Sequence, residues 1–297
     1  MEGSLFTAIF LPLALAIIML GMGMTLTLAD FLRVIQMPKA ALTGLGNQLL
    51  LLPLIGFLIA LAFRLPPELA VGLMIIAACP GGPTSNLISH LARGDVALSV
   101  SLTAVSSLVT VFTIPLVINL SLHHFMEVDS PPPLPVLESI LKILVITLVP
   151  VAIGMAVRAW FPAFTRKISV LTSLASALFF LLVIVGAILS ERENIPGYFR
   201  QAGLAALALN LITMVIGWAT ARAGDLSSRQ ALTIAIESGL QNGTLAIGIA
   251  AVMLQQPAMA VPAAIYSLLM FGSAAVTITI GRSLATKEKS AEANLKK

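Results

Sequence analysis

Along most of the chain, apolar residues run for about 20 positions at a time between short polar loops. A helix of that length crosses a ~30 Å hydrocarbon core, because each residue rises about 1.5 Å. The runs predict nine spans, at approximately 4–25, 39–63, 68–92, 95–121, 136–158, 168–190, 200–222, 229–254 and 258–282. In two of them the pattern fails. Residues 77–86 read ACPGGPTSNL, and two prolines and two glycines in four consecutive positions divide the third span into expected half-helices at 68–78 and 86–92. The eighth, ALTIAIESGLQNGTLAIGIAAVML, carries Glu237, Ser238, Gly239, Gln241, Asn242, Gly243 and Thr244 near its middle. One inner stretch, TLADFLRVIQM at 27–37, alternates apolar and polar residues at helical spacing and is expected to lie along the membrane surface.

Composition agrees with the spans. Hydrophobic residues make up 58% of the 297 and charged residues 10%, with a mean hydropathy of +1.02. A soluble domain carries about a quarter charged residues, so the fold class is an all-α integral membrane protein. The connections leave no room for a soluble catalytic domain. No Ser–His, Asp–Asp or His-rich metal constellation falls at membrane depth, which speaks against an enzyme. The first apolar run offers Ala14-Leu15-Ala16 as a superficial cleavage site. However, no Lys or Arg precedes it and it continues past Ala16, so it reads as a retained span. The single cysteine, Cys79, excludes an intrachain disulfide and a Cys-rich metal site.

The net charge of +4 is scattered through loops and tail, so it reports topology rather than a nucleic-acid partner. With nine spans the termini lie on opposite sides. Placing the tail inside puts 13 of the 17 Lys and Arg residues on the cytoplasmic face. Only Arg64, Arg192 and Arg200 then fall outside, with Lys142 near the outer end of the fifth span. By the positive-inside rule the N-terminus is outside and the C-terminus cytoplasmic. The expected location is a cell (inner) membrane, with the bilayer as a partner and no obligatory protein partner evident. The longest outer connection, about 122–135, includes the proline-rich VDSPPPLP and is not expected to be helical.

Bare backbone in hydrocarbon leaves N–H and C=O groups unpaired unless protein or a wet cavity supplies partners. An intramembrane carboxylate such as Glu237 costs about 2.5–3.5 kcal/mol on insertion scales and marks a functional site by default. Lys142 is the one basic residue within a span and lies too near the outer end to pair with it. The breaks occupy matching places: each follows an amide within an apolar span (Gln48, Asn210) and a short polar loop. The third span starts outside and the eighth inside, which is the signature of inverted repeats with ion and solute sites at discontinuous helices. The repeats are unequal, four spans at 1–121 and five at 136–282, followed by a tail at 283–297. Polar groups near the breaks are mostly oxygen-bearing, and Ser99 and Thr103 share a helical face. Glu237 and Gln241 would share one too if that turn is helical. Oxygen ligands with one carboxylate suit a hard monovalent cation, and half-helix N-termini suit a carboxylate. Sodium fits, although a coupled proton on Glu237 is an alternative.

The motifs CPGGPTSNL…LARGDVALSVSLTAVSS and IESGLQNGTLAIGIA together resemble the bile acid:sodium symporter family, over most of the chain. The resemblance implies a core domain and a panel domain built from inverted repeats whose broken helices cross, in a nine-helix form. It implies sodium-coupled symport of an organic anion by alternating access, with two sodium ions and no organic cofactor. A proton-coupled or uncoupled carrier on the same fold is the alternative. Carried over by motif, one sodium site would use Ser85, Asn86, Ser99, Thr103 and Glu237. The other would use Gln48, Glu237 and Gln241, with main-chain carbonyls near Ser238 and Leu240. Pro83, Thr84, Asn86, Asn210 and Asn242 would face the substrate. The chain departs from the family pattern at Pro83, reading GGPTSN where GGTxSN is usual, which bears on the solute rather than the ions.

Overall fold

A computed structural model of the chain describes residues 9–126, 136–190 and 195–295. Most of the proline-rich outer connection, the segment with Arg192, the first eight residues and Lys296 and Lys297 lie outside the described residues. The side chains of residues 287–295 do too, Lys287 and Lys289 among them.

The regular elements are helical: α1 (Leu11–Gly23), α2 (Leu28–Gln36), α3 (Pro38–Gly46), α4 (Leu52–Ala62), α5 (Pro67–Ala78), α6 (Pro83–Leu91) and α7 (Val96–Phe125). They continue with α8 (Val136–Ile143), α9 (Val149–Trp160), α10 (Pro162–Ser190), α11 (Ile195–Ala223), α12 (Ser228–Gly239), α13 (Gly243–Gly248) and α14 (Pro257–Leu295). Among the described residues, six continuous helices are long and apolar enough to cross a membrane, seven if α1 and α2 are one bent span. The other expected spans come in pieces. α1 and α2 meet at 62°, and the spans expected at 68–92 and 229–254 are the pairs α5–α6 and α12–α13.

Local chemistry accounts for the ends. Asp95 caps α7 by accepting from the Leu98 N–H (3.1 Å), and Ser227 opens α12 with Gln230 in a capping box. Thr27 and Asp30 open α2, the Thr27 N–H donating to Asp30 Oδ2 at 2.7 Å. This helix packs against α7 and leaves Leu28, Leu32 and Ile35 exposed along one face, as a surface-lying helix requires. Among the described residues, full π-turns occur at Asn47–Leu51, Leu144–Leu148 and Ile249–Met253. The turn at Asn47–Leu51 joins α3 to α4, and the Leu52 N–H reaches back five residues to the Asn47 carbonyl. Pro53 follows at once, and a proline cannot donate to an i−4 carbonyl and clashes with it; the widened turn accommodates both. The turn at Leu144–Leu148 stands in the same relation to Pro150.

α5 packs among α4, α7 and α14, while α11 packs against α12 and α14. α1 packs instead against α9 and α10. α1 and α9 touch backbone to backbone: a Cβ at Gly23 would run into the Val151 carbonyl, and one at Gly154 into that of Leu20. Small residues permit such close approach between membrane helices. Arg158 at the end of α9 also donates to the Thr25 carbonyl. The interrupted helices lie deepest. Leu69–Ala78, Ala231–Gly239 and all of α13 are buried, so helices too short to span are screened from lipid by longer ones.

Candidate functional site

The two breaks lie side by side. After α5 the chain is extended through Cys79–Gly82, and after α12 through Leu240–Asn242. Gly81 and Gln241 form an antiparallel bridge, and the Asn242 N–H donates to the Pro80 carbonyl at 2.9 Å. No glycine here has a positive φ, so the need at Gly81 is space. A Cβ there would sit 2.6 Å from Glu237 Oε2.

Each broken end is closed by groups from elsewhere. The Cys79 carbonyl accepts from Gln48 Nε2 at 2.7 Å. The Gly239 carbonyl accepts from Asn210 Nδ2 and from the Tyr266 hydroxyl, both at 2.7 Å. Gln241 Nε2 folds back onto the Glu237 and Ser238 carbonyls (3.2 and 2.9 Å). On the opposite side of the break, Asn242 Oδ1 caps α13 by accepting from the Leu245 N–H (3.1 Å). These bonds close the broken ends from within the protein, without water or lipid.

Two expectations change in detail. The second half-helix starts at Pro83 rather than Asn86, because proline suits the first helical position, where its missing N–H would have had no partner. Gln241 does not share a helical face with Glu237, since α12 ends at Gly239 and Gln241 lies in the break. The amide reaches the same neighbourhood by folding back.

At the crossing, side chains from α6, α7 and α12 form a connected oxygen cluster. Ser99 donates to Glu237 Oε1 at 2.5 Å and Thr103 to Oε2 at 2.9 Å. Asn86 Oδ1 lies 2.9 Å from Ser99 Oγ and 3.4 Å from Thr103 Oγ1. Ser85 Oγ lies 3.4 Å from Thr103 Oγ1 and donates to the Gly82 carbonyl at 2.8 Å. Ser99 therefore has one proton for two acceptors, with the amide oxygen turned toward it. Glu237 is 3% exposed, and none of the ion pairs among the described residues involves it; these are Arg33–Asp30, Lys39–Asp225 and Lys142–Glu138. An oxygen-rich cluster around one carboxylate without a basic partner is the donor set a hard cation takes.

A second group adjoins the first through the Glu237 backbone. Gln48, on the π-turn, and Gln241 face each other amide to amide, with Gln48 Nε2 donating to Gln241 Oε1 at 2.7 Å. Leu240 is buried in the break, and its N–H reaches the Ile236 carbonyl at 2.8 Å. Pro83, Thr84 and Asn86 stand half-buried on the first turn of α6. Asn210 lies apart from them, fully buried beneath Gly239, and its Oδ1 has no hydrogen-bond partner. Tyr266 was not foreseen. Its signal was a lone phenol within an apolar span, a residue that needs a partner when buried. The Asp95–Thr233 contact was not foreseen either: the Asp95 N–H donates to Thr233 Oγ1 at 2.8 Å and ties the start of α7 to α12. Of the histidines, His124 stacks with Phe57 and Phe125 (ring centroids 4.8 and 4.9 Å), and His90 is exposed at the far end of α6.

Comparison with known proteins places this geometry in a context. The model of the Sodium Bile acid symporter family matches residues 12–197. The "Uncharacterized sodium-dependent transporter YocS" of Bacillus subtilis (strain 168) is 33% identical over 271 residues, covering 89% of this chain and 81% of its own. The "Ileal sodium/bile acid cotransporter" of Homo sapiens is 33% identical over 243 residues, covering 79% of this chain and 67% of its own. The "Probable sodium/metabolite cotransporter BASS2, chloroplastic" of Oryza sativa subsp. japonica is 29% identical over 291 residues, covering 97% and 67%.

Proposed function

Since the chain belongs to the sodium bile acid symporter family, we propose that it carries a small organic anion together with sodium across a membrane by alternating access. The observation that carries this reading is Glu237, a buried carboxylate with hydroxyl donors but no basic partner, held where two helix breaks meet. In the proposed mechanism one sodium ion is held by Ser85, Asn86, Ser99, Thr103 and Glu237. A second is held by Gln48, Glu237 and Gln241 with the carbonyls of Ser238 and Leu240. The N-termini of α6 and α13 open onto the same crossing. Their dipoles suit the carboxylate of a solute, which Pro83, Thr84, Asn86 and Asn242 would line. Asn210 acts from beneath, through the Gly239 carbonyl.

The nine-span count, with α5–α6 and α12–α13 each taken as one broken span, belongs to this proposal. So do the four-plus-five inverted repeats, the N-outside orientation and the division into domains. α1 packs chiefly with α9 and α10, and these meet the helices around the breaks through α13; the grouping supports a panel moving against a core. Suppose two sodium ions accompany one monovalent anion, with a gradient of about tenfold and a potential of about 100 mV. The gradient supplies about 2.8 kcal/mol and the net charge ~2.3 kcal/mol. Together these sustain a solute gradient of several thousandfold.

The deciding experiment is uptake of carboxylates into proteoliposomes under an imposed sodium gradient, for the wild type and Glu237→Ala. Sodium-driven uptake that vanishes in the variant supports the reading. Uptake indifferent to sodium but dependent on external pH moves it to a proton-coupled carrier on the same fold.

A further inference from the structure

The turn LARGD at 91–95, where α6 gives way to α7, forms one wall of a second cleft of about 650 Å³. Along α6 this end lies about 13 Å from the breaks. His90, Arg93, Arg229, Arg282 and Thr286 line the cleft, with no carboxylate among the described residues that do so. Asp95 is the neighbouring acid in the sequence, and its Oδ1 is engaged in capping α7. Two of the guanidiniums are anchored. Arg229 Nη2 donates to the Gly94 carbonyl at 3.3 Å and Arg282 Nε to that of Leu91 at 3.1 Å. The Arg282 bond also covers the carbonyl of Leu91, the last residue of α6, and such terminal carbonyls lack a helical partner. A guanidinium carries five N–H donors in a planar fork, so each anchored group keeps several for a ligand. The N-termini of α7 and α12 border the cleft at Val96 and Arg229, and their dipoles add partial positive charge.

Three arginines, two of them anchored, with two helix N-termini and a hydroxyl around one open volume match an oxyanion, and the fork of arginine matches phosphate best. We propose that this cleft binds a phosphate group through Arg93, Arg229 and Arg282, either the headgroup of an acidic phospholipid or a soluble phosphate. Basic pockets between membrane helices at a positively charged face take lipid headgroups in this way. The site is separate from the oxygen cluster, and its test does not require transport.

The experiment measures thermal stability of the purified full chain along two arms. One adds inorganic phosphate to detergent micelles; the other compares nanodiscs of phosphatidylcholine with nanodiscs that also contain phosphatidylglycerol. Arg93→Gln removes a cation without breaking either anchoring bond. Arg229→Lys and Arg282→Lys keep the charge and lose the fork. Anion affinity should fall about fivefold in Arg93→Gln, and further when it is combined with Arg282→Lys. Stabilisation by phosphatidylglycerol and not by phosphate identifies a lipid site, and stabilisation by phosphate in micelles with nothing added by the lipid identifies a soluble ligand. If neither anion stabilises the protein, or if both do so equally in Arg93→Gln and the combined variant, the proposal is overturned.

Discussion

Glu237 concentrates the chemistry of the site. A carboxylate at membrane depth costs about 2.5–3.5 kcal/mol, and hydrogen bonds to a charged group return about 1.5–3 kcal/mol each. Two such bonds, from Ser99 and Thr103, are therefore enough to hold the side chain in place before any ion arrives. Ser99→Ala should lower stability by about 1–3 kcal/mol in sodium-free buffer, read by thermal or denaturant unfolding. Glu237→Gln keeps the shape and removes the charge. It should leave the protein folded yet abolish the difference between its melting temperatures in sodium and in choline. A sodium-specific rise that survives in Glu237→Gln would refute the assignment of the carboxylate. Gly81→Ala tests proximity instead. Its Cβ would press on Glu237 Oε2, so sodium affinity should fall while the backbone, at a φ any residue accepts, stays folded.

At the scale of the element, the breaks stand because other helices close them. Tyr266→Phe removes one of two donors to the Gly239 carbonyl, so the loss should be about 0.5–1.5 kcal/mol, measured by unfolding. A larger loss would mean that Asn210 cannot hold the end alone. Pro83→Thr restores the commoner residue at the first position of α6. Sodium-dependent stabilisation should persist in this variant, while the relative uptake of different carboxylates shifts. The extent to which these elements were legible follows from their chemistry. PGGP announces the first break because proline and glycine act locally. The second break has no proline, and SGLQNG could have continued as helix. Glu237 and Gln241 would share a face only if that turn were helical, and the chain leaves the helix between them. The π-turn that carries Gln48 has Pro53 as its one local signature, and a proline there permits a shift from i−4 to i−5 without requiring it. The closing bonds of Tyr266 and Asn210 join positions 27 and 29 residues away in sequence. Periodicity therefore could not reveal them, although the apolar runs located the long helices; the last of these continues to Leu295, 13 residues past the expected end at 282, because its polar extension carries no apolar signal.

For the whole molecule, the distribution of charge sets an orientation that labelling can check. Cys79 is fully buried, so a membrane-impermeant thiol reagent should report only on introduced cysteines. In intact cells Glu138→Cys should react from outside and Ser227→Cys only after permeabilisation. The reverse pattern would invert the topology. The contrast in exposure among helices has the same origin. α10 presents Val170, Leu171, Leu174, Leu178 and Leu181 outward, where lipid tails are as acceptable as protein, whereas α5 and α12 must hide their unfinished ends.

That hiding has a kinetic meaning. Gln48, Asn210 and Tyr266 hold the broken ends with neutral groups that belong to the protein, and no cargo takes part in those bonds. If the chain works by the proposed alternating access, a carrier that has unloaded can therefore swing back empty without melting its midsection. Net delivery then need not wait for exchange with a molecule from the other side. Loosening Asn210 or Tyr266, which hold no ion in the proposed mechanism, should slow the empty return more than the loaded crossing, so net uptake would suffer while counterflow between loaded states is spared.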